Sequence, residues 1–208
     1  MHFDLARLAA ADRYKLLAAT ITPRPIAWIT SQSASGQRNA APFSFFNMMS
    51  ADPPILALGL GRRADGTHKD TAANILATGE CVIHLVCRAD AEAMNRTCID
   101  APPGTDELAL AGLATLPSLA VAPPRIASAP VAMECRLFQA VEAGQTTIVL
   151  AEVLHLHIAD RFVDPVRLHV DAPAMDLVAR LHGAGWYGHA PEMFQMARPR
   201  WADQAGEG

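Results

Sequence analysis

The stretch "PRPIAWITSQSASGQRNAAPFSFFNMMSADPPILALGLG", residues 23–61, decides the fold. Pro23 and Pro25 exclude a continuing helix, because each lacks an N–H and biases its predecessor toward extended backbone. Beyond them Ile26, Trp28 and Thr30 alternate with Ala27, Ile29 and Ser31, the period of a strand. A polar loop with Gly36 as its left-handed residue follows. "AAPFSFFNMMS" then resumes as one apolar strand, "ADPP" breaks it, and "ILALGLG" is another strand whose glycines admit a close neighbour. Three strands with no helix between them predict antiparallel pairing.

The remainder agrees. Thr67 to Gly79 is predicted as a short helix, with Thr67 and Asp70 as a T-x-x-D capping box and Gly79 as the C-terminal cap. "ECVIHLV" reads as a buried strand, residues 90–96 as a helical turn or two, and "DAPPGTDELALAGL" as a loop and a short helix. "PVAMECRLFQAVE" and "TTIVLAEVLHLHI" form two long antiparallel strands joined at Gly144. A helical lead-in over about residues 1–20, broken near Asp12, precedes the barrel, and a C-terminal helix and tail over about 173–208 follow it. The fold class is mainly β with peripheral helices, a closed or half-closed antiparallel barrel in a single domain over 1–208. The one G-x-G, at Gly59 and Gly61, lacks the rest of a dinucleotide fingerprint, so a Rossmann reading fails.

Composition narrows the partners. The chain is 51% hydrophobic and 18% charged, with net charge −4 and pI about 6.0, so no basic field attracts nucleic acid. Apolar surface in this excess fits burial against a partner subunit or a ligand. No apolar run reaches the ~18 residues of a membrane span, and the charged N-terminus is unlike a signal peptide. Cys81, Cys87, Cys98 and Cys135 lack zinc-type spacing, which fits free thiols in a cytoplasmic protein. His155 and His157 could ligate zinc by spacing, but no carboxylate or cysteine sits suitably near, and no metal is assigned. Cys135 reads as a structural thiol, while Glu134 and Glu152 are either an inward pair or solvent-facing.

"GRRADGTHKDTAANI", residues 61–75, has two readings. Arg62, Arg63, Lys69 and Thr71 around a helix start suit a phosphate monoester, through cations, a hydroxyl and unpaired backbone N–H groups. A capped surface helix with solvated basic residues is the alternative. Asn39, Ser44, Asn47 and Ser50 lie among apolar residues, as they would beside a polar aromatic ligand or as ordinary turn residues.

Taken in order, "PRPIAWITS", "NAAPFSFFN", "DPP", "GRRADGTHKDTAANI", "ECVIHLV" and "MECRL" resemble the flavin reductase-like family, particularly its flavoredoxin-type branch, from about Arg24 to Leu156. The resemblance implies a split β-barrel that binds FMN, usually as a homodimer with the flavin near the interface. It implies that Ser31, following the first strand, belongs to the cofactor site, and that the Asn39–Ala40–Ala41–Pro42 segment meets the isoalloxazine through backbone groups. Ser44, Asn47 and Ser50 correspond to ribityl or phosphate contacts, and Arg62, Lys69 and Thr71 to the phosphate end. Arg180, Trp186 and Tyr187 are expected to help close the pocket. His84 stands where relatives commonly have Asn, and Cys81 where an aromatic is common. The implied activity is flavin reduction by NADH or NADPH, feeding a monooxygenase or another electron acceptor. A non-catalytic FMN electron carrier, reduced by a partner protein, is the alternative.

Overall fold

Ser44 and Phe45 divide the run predicted as one strand into two, and this division shapes the molecule. The computed structural model describes residues 1–190 and 192–199. Its main sheet contains β1 (Ala27–Gln32), β2 (Arg38–Phe43), β3 (Phe46–Ala51), β4 (Pro54–Gly61), β5 (Glu80–Leu85), β6 (Val131–Ala143) and β7 (Thr146–Ile158). The order is β2-β1-β5-β6-β7-β4-β3, antiparallel throughout. Strands β2 and β3 follow one another in the chain yet stand at opposite edges. Six inter-strand steps would separate those edges by roughly 29 Å in a flat sheet. The two-residue link spans no more than about 10 Å. The sheet therefore curls until its edges approach, leaving a barrel split between β2 and β3. The Gly59 N–H donates to the Phe45 carbonyl at 2.7 Å across this corner. A Cβ on Gly59 would lie 2.9 Å from Phe45 Cβ, so only glycine permits the approach.

Strand β1 is buried on both faces. Ala27 and Ile29 point into the barrel with Leu58, Leu60, Ile83 and Val149, and Ala72 and Ile75 of α2 (Asp70–Thr78) pack against them. Trp28 points outward into a second core with Ile26, Val86, Met94, Leu108, Ile126 and Val178. This outer core lies under α3 (Ala91–Arg96) and α4 (Glu107–Leu110). His84 stands opposite Trp28 and is fully buried. Its Nδ1 donates to the Trp28 carbonyl at 2.9 Å and its Nε2 accepts the Ile126 N–H at 2.9 Å, which defines a neutral ring. Burial pushes its pKa down to about 4 from 6.5.

Unfolding releases this ring to be protonated, so the unfolded chain binds more protons below pH 6.5. The stabilisation is complete above 6.5 and is lost as pH falls through about 4. The shift corresponds to about 3 kcal/mol. Urea unfolding across this window is expected to show that slope for the wild type and a flatter one for His84→Gln. Parallel curves would refute the assignment.

Several local expectations are corrected. The N-terminal break falls at Leu8–Ala9 rather than Asp12, between a 3-10 turn at Leu5–Arg7 and α1 (Ala10–Thr20). No capping box forms. Helix α2 starts at Asp70 with Lys69 at its N-cap, and the Thr67 hydroxyl is drawn to Asp65 Oδ1 at 2.6 Å inside the preceding turn. Gly79 does cap the other end, at φ 77°. The C-terminal helix is absent from the described residues. One 3-10 turn at Pro173–Met175 leads into a hairpin of β8 (Val178–Arg180) and β9 (Tyr187–His189), because Gly183 and Gly185, at φ 61° and 87°, turn the chain back. The rest of the expected tail, toward 208, lies outside the described residues.

Strand β8 also pairs with Arg24–Pro25. The buried Arg24 guanidinium donates to the Ala18, Ile21 and Leu181 carbonyls and to Ser44 Oγ. It thereby joins the end of α1, the hairpin and the barrel corner. Among the described residues no group of three or more His, Cys, Asp or Glu is placed to hold a metal, and no helix is long and apolar enough to cross a membrane.

Candidate functional site

Helix α2 begins beside edge strand β2. Ala73 donates to the Lys69 carbonyl, so the N–H groups of Asp70, Thr71 and Ala72 precede the first intrahelical bond. They form the positive end of the helix dipole. Behind them Asn39 Nδ2 donates to Thr71 Oγ1 at 2.8 Å and Ser31 Oγ at 3.2 Å, and Asn74 Nδ2 donates to Ser31 Oγ at 3.1 Å. With Asn39 donating into it, the buried Thr71 hydroxyl retains its own proton to donate. Lys69 lies 3.9 Å from Asp100, whose side chain is 91% exposed, so that ion pair is weak. Arg63 is more committed, at 3.0 Å from Asp70.

These groups surround a hollow lined by Asn39, Ala41, Pro42, Phe43, Arg63, Lys69, Thr71, Cys98 and Glu107. Strand β2 supplies one wall. Pro42 lies on its open edge, where a missing N–H costs no ladder bond. The outward N–H of Ala40 is taken by the buried Glu107 carboxylate at 3.0 Å. Burial pushes the Glu107 pKa up, helped by the charges of Asp70 and Asp106 and opposed by that N–H bond. Asp106 also pairs with Arg38 at 2.6 Å and caps α4 through the Ala109 N–H, fixing the loop against β2.

A second hollow adjoins the first, sharing Pro42, Phe43 and Cys98. Its walls are Tyr14, Ile26, Ser44, Met94, Arg180 and Tyr187, and the Arg180 guanidinium stacks 4.8 Å from the Tyr187 ring centre. The two hollows form one groove along the open edge of the barrel.

Of the sequence-predicted residues, Asn39, Ala41, Pro42, Lys69 and Thr71 line the first hollow, and Ser44 and Tyr187 line the second. Ser31 is buried behind Asn39 and orients it. Ala40 turns its side chain into the outer core and offers only its backbone. Asn47 lines a separate apolar hollow with Ile21, Phe45 and Met49, and Ser50 accepts the Asp52 N–H in the adjacent turn. Arg62 pairs with Glu142 and donates to the Gly66 carbonyl, away from the groove lining, where Arg63 stands instead. Trp186 stacks on His182. Sequence reasoning missed Asn74, which its spacing of three from Thr71 on a helix would have revealed. It also missed Glu107 and Cys98, which arrive from distant loops with no local signal.

A family model described as "Flavin reductase like domain" matches residues 19–171. The chain is 44% identical over 98% of its length to an uncharacterised protein of Deinococcus radiodurans, covering 93% of that protein. It resembles the solved structure of nitrilotriacetate monooxygenase component B from Bacillus cereus, with TM-score 0.90 and 30% identity over 94% of this chain and 98% of that one. It also resembles 2-nitrobenzoate 2-nitroreductase from Pseudomonas fluorescens, with TM-score 0.87 and 29% identity over 97% and 98% of the two chains.

Proposed function

The chain belongs to the flavin reductase-like family, and from that membership we propose that it is an FMN-dependent oxidoreductase drawing hydride from NADH or NADPH. The observation that carries the FMN assignment is the donor set at α2. An ammonium with only a weak partner, a hydroxyl with a spare proton and three helix N–H groups suit a phosphate monoester. The adjoining wall of Ala41, Pro42, Phe43, Ile26 and Met94 suits a planar ring. The residues therefore fit FMN.

Lys69, Thr71 and the first turn of α2 would hold the phosphate, with Asn39 and Ser31 fixing the Thr71 hydroxyl. The Ala41–Phe43 edge and Tyr187 would flank the ring. When bound, FMN supplies the centre that accepts the hydride. The chain's own part is to orient that ring and to keep water from its walls. The redox names of component B and of the nitroreductase support this reading. Anaerobic mixing of the FMN-loaded protein with NADH, and separately NADPH, is expected to bleach the oxidised-flavin band at about 450 nm. Persistence of the band with both donors would replace the reductase by an electron carrier.

We also propose a homodimer. Helix α1 buries none of its residues, and Tyr14, Leu17 and Ile21 stay exposed. Phe45 and Met49 are exposed on the neighbouring corner and line an apolar hollow of about 570 Å³, and Met48 is exposed beside them. Contiguous apolar surface of this kind marks an interface. Asn47 and Ser50 lie on this same side. Sedimentation is expected to give a dimer for the wild type and a monomer for Met49→Lys. A wild-type monomer at micromolar concentration would refute the interface.

A further inference from the structure

Arg180 at the far end of the groove, and Arg24 paired with it just behind, have no counter-charge among the described residues. Arg24 and Arg180 stand directly opposite one another in the pairing of Arg24–Pro25 with β8. Like charges so placed destabilise a sheet. Among the described residues no carboxylate forms an ion pair with either. Arg24 is buried and spends its donors on carbonyls and Ser44 Oγ. Arg180 makes one long bond, to the Gly183 carbonyl at 3.3 Å, and rests on the Tyr187 ring. Most of its five donors remain available in the hollow it lines. Arg180 lines the second hollow together with Pro42, Phe43 and Cys98, the residues of the wall shared by the two hollows.

The groove thus has a cationic group at each end, Lys69 at the first and Arg180 at the second, with apolar and aromatic walls between them. FMN carries only one phosphate, and α2 accounts for it. We infer that Arg180 recognises an anionic group of the second substrate, a phosphate of the nicotinamide dinucleotide. This rests on the proposed oxidoreductase reading. Tyr187 stacking holds the guanidinium plane, and the Arg24 charge behind it strengthens attraction for the anion.

The test compares Arg180→Met and Arg180→Lys with the wild type, using NADH and the phosphate-free donor 1-benzyl-1,4-dihydronicotinamide. In Arg180→Met the loss of kcat/KM is expected to be roughly tenfold larger for NADH than for the phosphate-free donor, the scale of a hydrogen bond to a charged group. Arg180→Lys is expected to recover part of it. Calorimetry with NAD⁺, which needs no turnover, is expected to show a comparable weakening in Arg180→Met. Equal losses for both donors, or NAD⁺ binding that is absent or indifferent to Arg180, would overturn the inference. If NAD⁺ binding depends on Arg180 while neither donor reduces the flavin, recognition stands and the reductase reading falls.

Discussion

Lys69→Met is expected to weaken FMN binding by roughly ten- to a hundredfold, the cost of removing a charge-assisted contact to a phosphate. Arg63 is held by Asp70 at 3.0 Å, and Arg62 is held by Glu142 and does not line the groove. Among the described residues Lys69 has only the highly exposed Asp100, at 3.9 Å, and it sits at the N-cap where the helix dipole converges. Arg63→Met should therefore have a smaller effect. Flavin fluorescence titrations with FMN and with riboflavin isolate the contribution, because riboflavin lacks the phosphate. The preference for FMN over riboflavin is expected to collapse in Lys69→Met. An unchanged preference would remove Lys69 from the phosphate end.

Glu134→Ala is expected to lower stability by about 3–5 kcal/mol, the range for breaking a buried charged network. Glu134 is fully buried on β6. Its carboxylate accepts the N–H of Leu119 at 2.9 Å, the N–H of Ala120 at 2.7 Å and His157 Nε2 at 2.7 Å, pinning the loop before β6 to the sheet. Burial alone would raise its pKa. The Leu119 and Ala120 N–H groups, with His157, outweigh burial and hold it below 4.5. The folded state therefore binds the proton less readily than the unfolded state. The stabilisation is present above pH 4.5 and is lost as pH falls through the depressed value. Urea midpoints near neutral pH and in mild acid should show a large deficit for Glu134→Ala that narrows in acid. A deficit under about 1 kcal/mol near neutral pH would show that the network contributes no more than a surface pair.

Much of this architecture was readable before the structure. Alternation along Ile26–Ser31 and the paired long strands around Gly144 marked an antiparallel barrel, because side-chain period is a local property. The corner at Ser44–Phe45 was not readable. Apolar residues continue through it, and only the closure of the sheet requires a break there. The C-terminal hairpin was mistaken for a helix because Ala174–Leu181 has helix-compatible composition, while pairing with Arg24–Pro25 is decided far away in sequence. The clustering of Lys69 and Thr71 was legible because both lie at one helix start. Glu107 and Cys98 reach the same hollow from loops whose sequences carry no mark of it. The fate of Glu134 belongs to the same class. Two of its partners are backbone N–H groups fifteen and fourteen residues earlier, invisible to any pattern of side chains, and the third, His157, comes from the neighbouring long strand.

The central claim is that the groove between α2 and the open edge of β2 holds one FMN per chain by its phosphate. Titration of the purified wild-type protein with FMN, followed by flavin fluorescence, tests it most directly. The account predicts saturation at one flavin per chain, with tighter binding of FMN than of riboflavin. The absence of saturable FMN binding, or equal affinity for the two flavins, would contradict it.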